Sequence, residues 1–377
     1  MPKKDDIKIF KGLENIYICE TSISFIDGKE GKLVYRGIPV EVLAEKSTYE
    51  EVVFFLWFGH LPRKDELEEF EDEMKSARKL DEEMKDMIEK FKTSHPMDLL
   101  RTIVSIMGLS NSEKKKSDEE KALEIISKVP TAVAYHHRIS MGEKPLEPSD
   151  ELDHASNFYY MMTGRSPDEK ISRIMNAILI LHAEQGLNAS TFSAIVISST
   201  LSDLYSAITG AVGALKGPLH GGANEKVMEL VEKIGKPENV ESEIEKMIAQ
   251  KHRIPGFGHR IYKTFDPRYR ILKRYSKEMV RNDEDERYYR IVERMEEEVL
   301  KKLSGKGIFP NVDLYSGILY KFLGFDRRFY TAVFAVARLA GWIAHIFEYS
   351  KMNKIIRPCG YYVGPMDVEY KPLEERE

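Results

Sequence analysis

Apolar and polar residues alternate through the opening stretch NIYICETSISFIDGKEGKLVYRG (residues 15–37), a period that predicts a small β-hairpin turning at Asp27 and Gly28. Beyond it the period changes. In YEEVVFFLWFG from Tyr49, in DELEEFEDEMKSARKL, in MDLLRTIVSIMGL and in KISRIMNAILILHAEQG, apolar residues return every three or four positions, which predicts helices. Ser117 stands three residues before Glu120, the spacing of a capping box that opens another. Such segments follow one another without a repeat period, so the fold class is mainly α. From Ala189 to Gly217 the chain is small, apolar and nearly uncharged. That length suits a membrane span, but Asp203 and several Ser and Thr residues point instead to a buried helix or helix pair, with small residues suited to packing against a second subunit. From Glu225 to Gly305 the segments are densely charged, and the apolar character returns in FYTAVFAVARLAGWIAHIFEY, Phe329 to Tyr349. The expected organisation is a large helical domain (residues 1–219), a smaller inserted one (220–324) and the C-terminal part of the large one (325–377), hinged near His220.

Composition narrows the partners. The chain has 377 residues, 42% of them hydrophobic, and a net charge of -5 from 57 basic and 62 acidic residues. Acids and bases are interspersed, so no basic stripe is available for nucleic acid. Cys19 and Cys359 stand alone, far from any disulfide or zinc spacing, which points to a reducing, cytoplasmic setting. MPKKDDIKIF has no apolar run after its lysines, so neither a signal peptide nor a membrane anchor is expected. Only Gln185 and Gln250 represent glutamine among many Lys and Glu residues, a balance that suits a thermophile.

Candidate chemistry gathers in four places. His220 lies in LKGPLHGGANE: Gly217 and Pro218 end one helix, while Gly221 and Gly222 let backbone approach a ligand before the next begins. The alternative is a loop histidine that happens to adjoin glycines. His259 follows Ile-Pro-Gly-Phe-Gly, a turn rather than a dinucleotide fingerprint. Asp313 follows Asn311, a good N-cap, so it either complements a helix start or is a partly desolvated carboxylate, a stronger base than one in water. Arg338 interrupts an apolar helix and requires an anion, either an internal carboxylate or a ligand; with Arg268 and Arg357 it suggests a small polycarboxylate. His136 and His137 are adjacent and diverge on a helix, and no ligand spacing indicates a metal.

GPLHGGANE, IPGFGHRIYKTFDPR, PNVDLYSG and ARLAGWIAHIFE followed by Arg357-Pro358 together resemble the citrate synthase family in its bacterial and archaeal form, in the family's order and over essentially the whole chain. The resemblance implies a two-domain helical homodimer that closes over oxaloacetate and acetyl-CoA, a substrate rather than a cofactor. It also implies that Asp313 removes a proton from the acetyl methyl group, that His220 hydrogen-bonds the thioester oxygen, and that His259 polarises the oxaloacetate carbonyl. Arg268 and Arg338 match residues that hold the oxaloacetate carboxylates, and Arg357 matches one supplied by the other subunit. Ile254, Pro255, Gly256, Phe257 and Gly258 match the loop that receives the adenine of CoA, with Lys263 and Lys306 as candidates for its phosphates.

One position departs from the family. Gln185 stands where a substrate-binding histidine is usual; it can donate a hydrogen bond but cannot become cationic, and His182 is a candidate to compensate across one helix face. Two rival readings stay open. A 2-methylcitrate synthase would use the same residues with propionyl-CoA, a difference of one methyl group. A silent helical binding protein would keep the fold without the chemistry.

Overall fold

The computed structural model describes residues 8–110 and 115–376. The first seven residues of MPKKDDIKIF lie outside them. The expected hairpin is present and is extended by a third strand: β1 (Ser24–Asp27), β2 (Lys32–Tyr35) and β3 (Ile38–Pro39) form an antiparallel sheet in sequence order, with Asp27 opposite Lys32. Asp27 Oδ1 accepts from the N–H groups of Lys29 and Glu30, at 2.8 and 2.9 Å, and so closes the turn.

Helices account for most of the rest: α1 (Val40–Lys46), α2 (Tyr49–Phe58), α3 (Lys64–Ser76), α4 (Glu82–Lys90), α5 (Pro96–Ser110), α6 (Asp118–Ser140), α7 (His154–Thr163), α8 (Glu169–Ala183), α9 (Ala189–Ser198), α10 (Leu204–Lys216), α11 (Ala223–Ile234), α12 (Val240–Ala249), α13 (Pro267–Glu278), α14 (Asp283–Leu303), α15 (Val312–Leu323) and α16 (Tyr330–Ser350). Side-chain caps explain many of the starts. Ser117 and Glu120 form the reciprocal box at α6, and Asn311 accepts from Asp313 N–H at the start of α15.

The core is organised around α16, which packs against α2, α5, α6, α8, α9 and α10. The segment Arg327–Ser350 is apolar and long enough to cross a membrane, yet 94% of its most apolar stretch is buried inside the protein, which makes it a core helix. Helices α11 to α15 pack largely on one another, with α15 touching α11, α13 and α14. The apolar segment from Ala189 divides into two short helices, α9 and α10, packed against each other. Neither reaches the ~20 residues that a span requires. The break comes at Leu201, whose φ is +65°, and at Asp203, whose carboxylate accepts from Ser206 N–H at 3.0 Å and restarts the helix.

The sheet and its turn brace two loops. Tyr35 Oη on β2 donates to the Glu184 carbonyl at 2.9 Å, just past the end of α8, and Lys263 N–H donates to the Gly28 carbonyl at 2.7 Å. Replacing Asp203 with alanine removes a helix cap and should lower stability by about 1 kcal/mol. A urea-unfolding midpoint that does not move would count against that role.

Candidate active site

His220 lies in the turn between α10 and α11. A Cβ on the neighbouring Gly221 would stand 2.2 Å from the Leu215 carbonyl oxygen, so only glycine lets the turn fold back this tightly. The imidazole Nε2 faces Ser190, with the backbone N–H at 3.2 Å and Oγ at 2.8 Å. The backbone N–H aimed at Nε2 favours that nitrogen as the acceptor and the ring proton on Nδ1, while the same N–H and the Ser190 hydroxyl also donate to Asn188 Oδ1, at 3.1 and 2.7 Å. Ser190 is itself held by Trp342 Nε1–H, which donates to Oγ at 3.0 Å.

His259 has the opposite tautomer. Its Nδ1 accepts from the N–H groups of Ile261 and Tyr262, at 3.1 and 3.2 Å, so its proton is on Nε2. Burial pushes both rings down to about 4, helped by the charge of Arg338 at His220 and of Arg268 at His259. Both are neutral at pH 7, and each has one ring N–H without an acceptor among the described residues.

Asp313 is partly exposed, and its carboxylate receives no hydrogen bond from the described residues. The surrounding protein desolvates it, and its pKa is pushed up to about 6 despite the neighbouring charges of Arg268 and Arg338. The expected N-cap is present, but Asn311 does more than cap. Its Nδ2 donates to the Gly258 carbonyl at 2.9 Å, its N–H donates to the Gly256 carbonyl at 3.0 Å, and Gly258 N–H donates to the Phe309 carbonyl at 2.8 Å. The loop Ile254 to Gly258 is thereby stitched to the segment that presents Asp313. Gly256 has φ +83°, and a Cβ there would meet the Leu314 backbone at 3.0 Å.

The two buried arginines differ. Arg268 has an internal partner, Asp266, bound by Nε at 2.9 Å and Nη2 at 2.7 Å. That pairing occupies one edge of the guanidinium and leaves the Nη1 edge for a carboxylate from outside. Burial opposes both charges, but each partner more than offsets this for the other, so Asp266 is lowered and Arg268 raised. Arg338 has no ion pair among the described residues; its Nε donates to the His182 carbonyl at 2.6 Å, and its guanidinium lies 4.6 Å from the Phe334 ring centre. Burial lowers it to about 10, so it stays charged at neutral pH.

The two arginines link the three candidates electrostatically: Arg338 acts on both His220 and Asp313, and Arg268 on both His259 and Asp313. Lys263 and Lys306 are exposed, with the Lys263 backbone 4.0 Å from a Cβ built on Gly307, so they are surface neighbours. Arg357 is exposed on the C-terminal segment that follows α16. His182 and Gln185 do not share a helix face, because α8 ends at Ala183 and Glu184 is extended. His182 Nδ1 instead donates to the Ile178 carbonyl at 2.8 Å. A cavity of about 180 Å³ opens behind the His220 loop, lined by Lys216, Pro218, Gly221, Gly222, Glu225 and Thr331, but His220, His259 and Asp313 are not among its walls.

The family model described as Citrate synthase, C-terminal domain, matches residues 12–359. The chain belongs to the citrate synthase family. A citrate synthase of Synechocystis sp. is 43% identical over 377 residues, covering 98% of this chain and 95% of the relative. A 2-methylcitrate synthase of Mycobacterium tuberculosis is 38% identical, covering 96% and 92%. The crystal structure of citrate synthase from Thermotoga maritima MSB8 superposes with a TM-score of 0.89 at 49% identity, covering 98% of this chain and all of that one. The ternary complex of the Thermoplasma acidophilum citrate synthase with carboxymethyl coenzyme A and oxaloacetate superposes with a TM-score of 0.93 at 34% identity, with the same coverage.

Reading the sequence did not single out Ser190, Trp342, Tyr262 or Asp266. Only Asp266 carried a local signal: an Asp before Pro267 marks a helix start, and Asp266 does cap α13. Asp313 is held charged in a desolvated position, so Asp313→Asn should stabilise the fold by about 1–3 kcal/mol above pH 6. Because the folded pKa is the raised one, the gain should shrink as pH falls through 6 and vanish below the unfolded carboxyl value near ~4. Melting temperatures of both proteins at pH 8 and pH 4 check this; an equal difference at both would contradict it.

Proposed function

We propose that the protein condenses acetyl-CoA with oxaloacetate and water to give citrate and CoA, as an acyltransferase whose acyl group becomes an alkyl group on transfer. One observation carries the reading. A desolvated carboxylate, Asp313, shares a centre with two neutral histidines of opposite tautomer, each with an N–H free to donate, beside two buried guanidiniums.

The chemistry follows from those states. A thioester α-proton is weakly acidic, so the base needs help from a donor on the carbonyl oxygen where negative charge develops. Asp313 takes the methyl proton, while Nδ1–H of His220 donates to the thioester oxygen as it becomes enol or enolate. A neutral imidazole suits this task, since it donates without surrendering its proton to solvent at pH 7. Nε2–H of His259 polarises the keto carbonyl of oxaloacetate and protonates the new alkoxide after carbon–carbon bond formation. Arg338 and the open edge of Arg268 hold the two carboxylates. Hydrolysis of the citryl thioester then releases CoA. The loop Ile254 to Gly258 receives the adenine, with Lys263 and Lys306 toward the phosphates. Because Asn311 ties that loop to the base, binding of CoA and placement of Asp313 are mechanically joined. No cofactor or metal is called for.

We further infer a homodimer in which Arg357 completes the partner's site. The C-terminal segment exposes Met352, Ile355, Tyr362, Val363, Val368 and Tyr370, an apolar strip that a second copy would cover. The helices α11 to α15 are then the small domain that closes over the substrates. The free thiols Cys19 and Cys359 suit the cytoplasm. Ion pairs along α14, from Arg290 to Glu286 and Glu293 and from Arg294 to Glu297 and Glu298, support adaptation to heat.

The 2-methylcitrate reading differs by one methyl group, a discrimination of about 1–3 kcal/mol. The silent-protein reading leaves the desolvated carboxylate beside free N–H donors unexplained. Free CoA followed with a thiol-reactive dye tests all three. Release should require oxaloacetate and favour acetyl-CoA in kcat/KM; preference for propionyl-CoA would establish the second reading, and no release with either would establish the third. The acidic limb of kcat/KM should fall as pH drops through about 6, because Asp313 must be deprotonated to act. Truncation after Ser350 should yield monomers in light scattering and cut kcat/KM by at least about tenfold; a fully active monomer would refute the shared site.

A further inference from the structure

The proposed mechanism leaves a buried polar atom beside the substrate residues without a hydrogen-bond partner among the described residues, Gln185 Oε1. Gln185 lies in the loop after α8 and is itself buried. Its Nε2 lies 3.3 Å from Tyr262 Oη, also buried. In this orientation the amide donates to the phenol and its own oxygen meets no donor, an arrangement that buried groups avoid. A half-turn of the amide exchanges the two ends. Oε1 then accepts the Tyr262 hydroxyl hydrogen, and the two Nε2 hydrogens face the place where the oxygen was stranded. Burial pushes the phenol up to about 12, so its hydrogen is available at any working pH.

Tyr262 is unusually placed to do this. Its ring lies 4.7 Å from the His259 ring, centre to centre, and its backbone N–H is one of the two that set the His259 tautomer. Its neighbour Lys263 is anchored by the hydrogen bond to Gly28, so the phenol is presented from a braced loop. One side chain thus contacts both His259 and the glutamine that replaces the family's usual histidine.

We propose that Tyr262 is a positioning residue that orients the Gln185 amide through its hydroxyl, so that Gln185 donates to an oxygen of the 2-keto dicarboxylate and, with Tyr262, sets the affinity for that substrate. This rests on the condensation reading, in which oxaloacetate occupies the centre between His259 and the arginines. Glutamine has no tautomer or charge to settle its orientation, and the phenol supplies what the replaced imidazole would settle by itself.

Two variants test it in the full-length protein. Tyr262→Phe keeps the ring beside His259 and removes only the hydroxyl. Gln185→Glu can still accept from Tyr262 but has no hydrogen to offer the substrate. Both should weaken oxaloacetate binding by roughly tenfold, measured by isothermal titration calorimetry, while the KM for acetyl-CoA stays within about twofold. Tyr262→Phe combined with Gln185→His should recover most of the lost affinity, because histidine needs no phenol to orient it. Melting curves of each variant show that it is folded, and an unfolded Tyr262→Phe leaves Gln185→Glu to decide. Unchanged oxaloacetate affinity in the folded variants overturns the pairing, as does an equal loss for both substrates. Calorimetry needs no turnover, so a wild type that binds oxaloacetate without releasing CoA overturns the condensation and leaves the pairing to be judged by the variants. A wild type that binds no oxaloacetate overturns both.

Discussion

Asp266 and Arg268 stand at the start of α13, both removed from solvent and joined by two charge-assisted hydrogen bonds. A buried ion pair is weak support for stability, since the desolvation of both charges offsets much of their attraction. Here its value is geometric. The same carboxylate accepts from Arg268 N–H at the α13 cap and from Val312 N–H at 3.3 Å, at the first residue of α15. One buried aspartate therefore aligns the starts of two helices, turns one edge of an arginine inward and leaves its other edge free, and holds the residue before Asp313. Loss of that carboxylate would strand a guanidinium in the interior and release both helix starts together.

Around this pair the protein keeps a strong field in a dry space. Arg268 and Arg338 are cations in the interior, and among the described residues only the first has a carboxylate ion-pair partner. Their charges, added to burial, keep His220, His259 and His182 neutral, with His182 pushed down to about 3. Burial, aided by the nearby charge of Asp266, lifts Asp313 to about 6 against the pull of the same two arginines. The site thus holds its acid–base groups apart: rings that donate without ionising, and a carboxylate whose charge has too little solvent to support it. A dianionic substrate settling on the arginines would cancel part of the field that lowers both histidines and would raise the basicity of Asp313 further.

The helices were legible because their apolar residues recur at helical spacing, and α6 and α15 because Ser117 with Glu120 and Asn311 are short-range caps. The turn at Asp27 was legible for the same reason: the side chain bonds to backbone two and three residues on. The third strand was missed because Ile38–Pro39 is too short to show a period. His220, His259 and Asp313 stood out by their glycine and proline surroundings, and a common role for them was implied only by the resemblance to a family. Ser190 and Trp342 gave no signal. They act on His220 from 30 and 122 residues away along the chain, and no local pattern reports such a contact.

What the amino-acid order determined by itself was therefore local: the helical periods, the caps, the glycine turns and the residue types capable of proton transfer and carboxylate binding. Backbone propensity, side-chain capping and apolar periodicity act over a few residues and do not depend on the rest of the fold. The tertiary structure decided which state each group is in. It determined that Nε2 of His220 meets a backbone N–H while Nδ1 of His259 meets two, that Arg268 is half occupied by Asp266 while Arg338 is not, and that the Gln185 amide faces a phenol. Tautomer, pKa and hydrogen-bond direction are set by desolvation and by donors brought together from distant parts of the chain, and those exist only once the helices have packed.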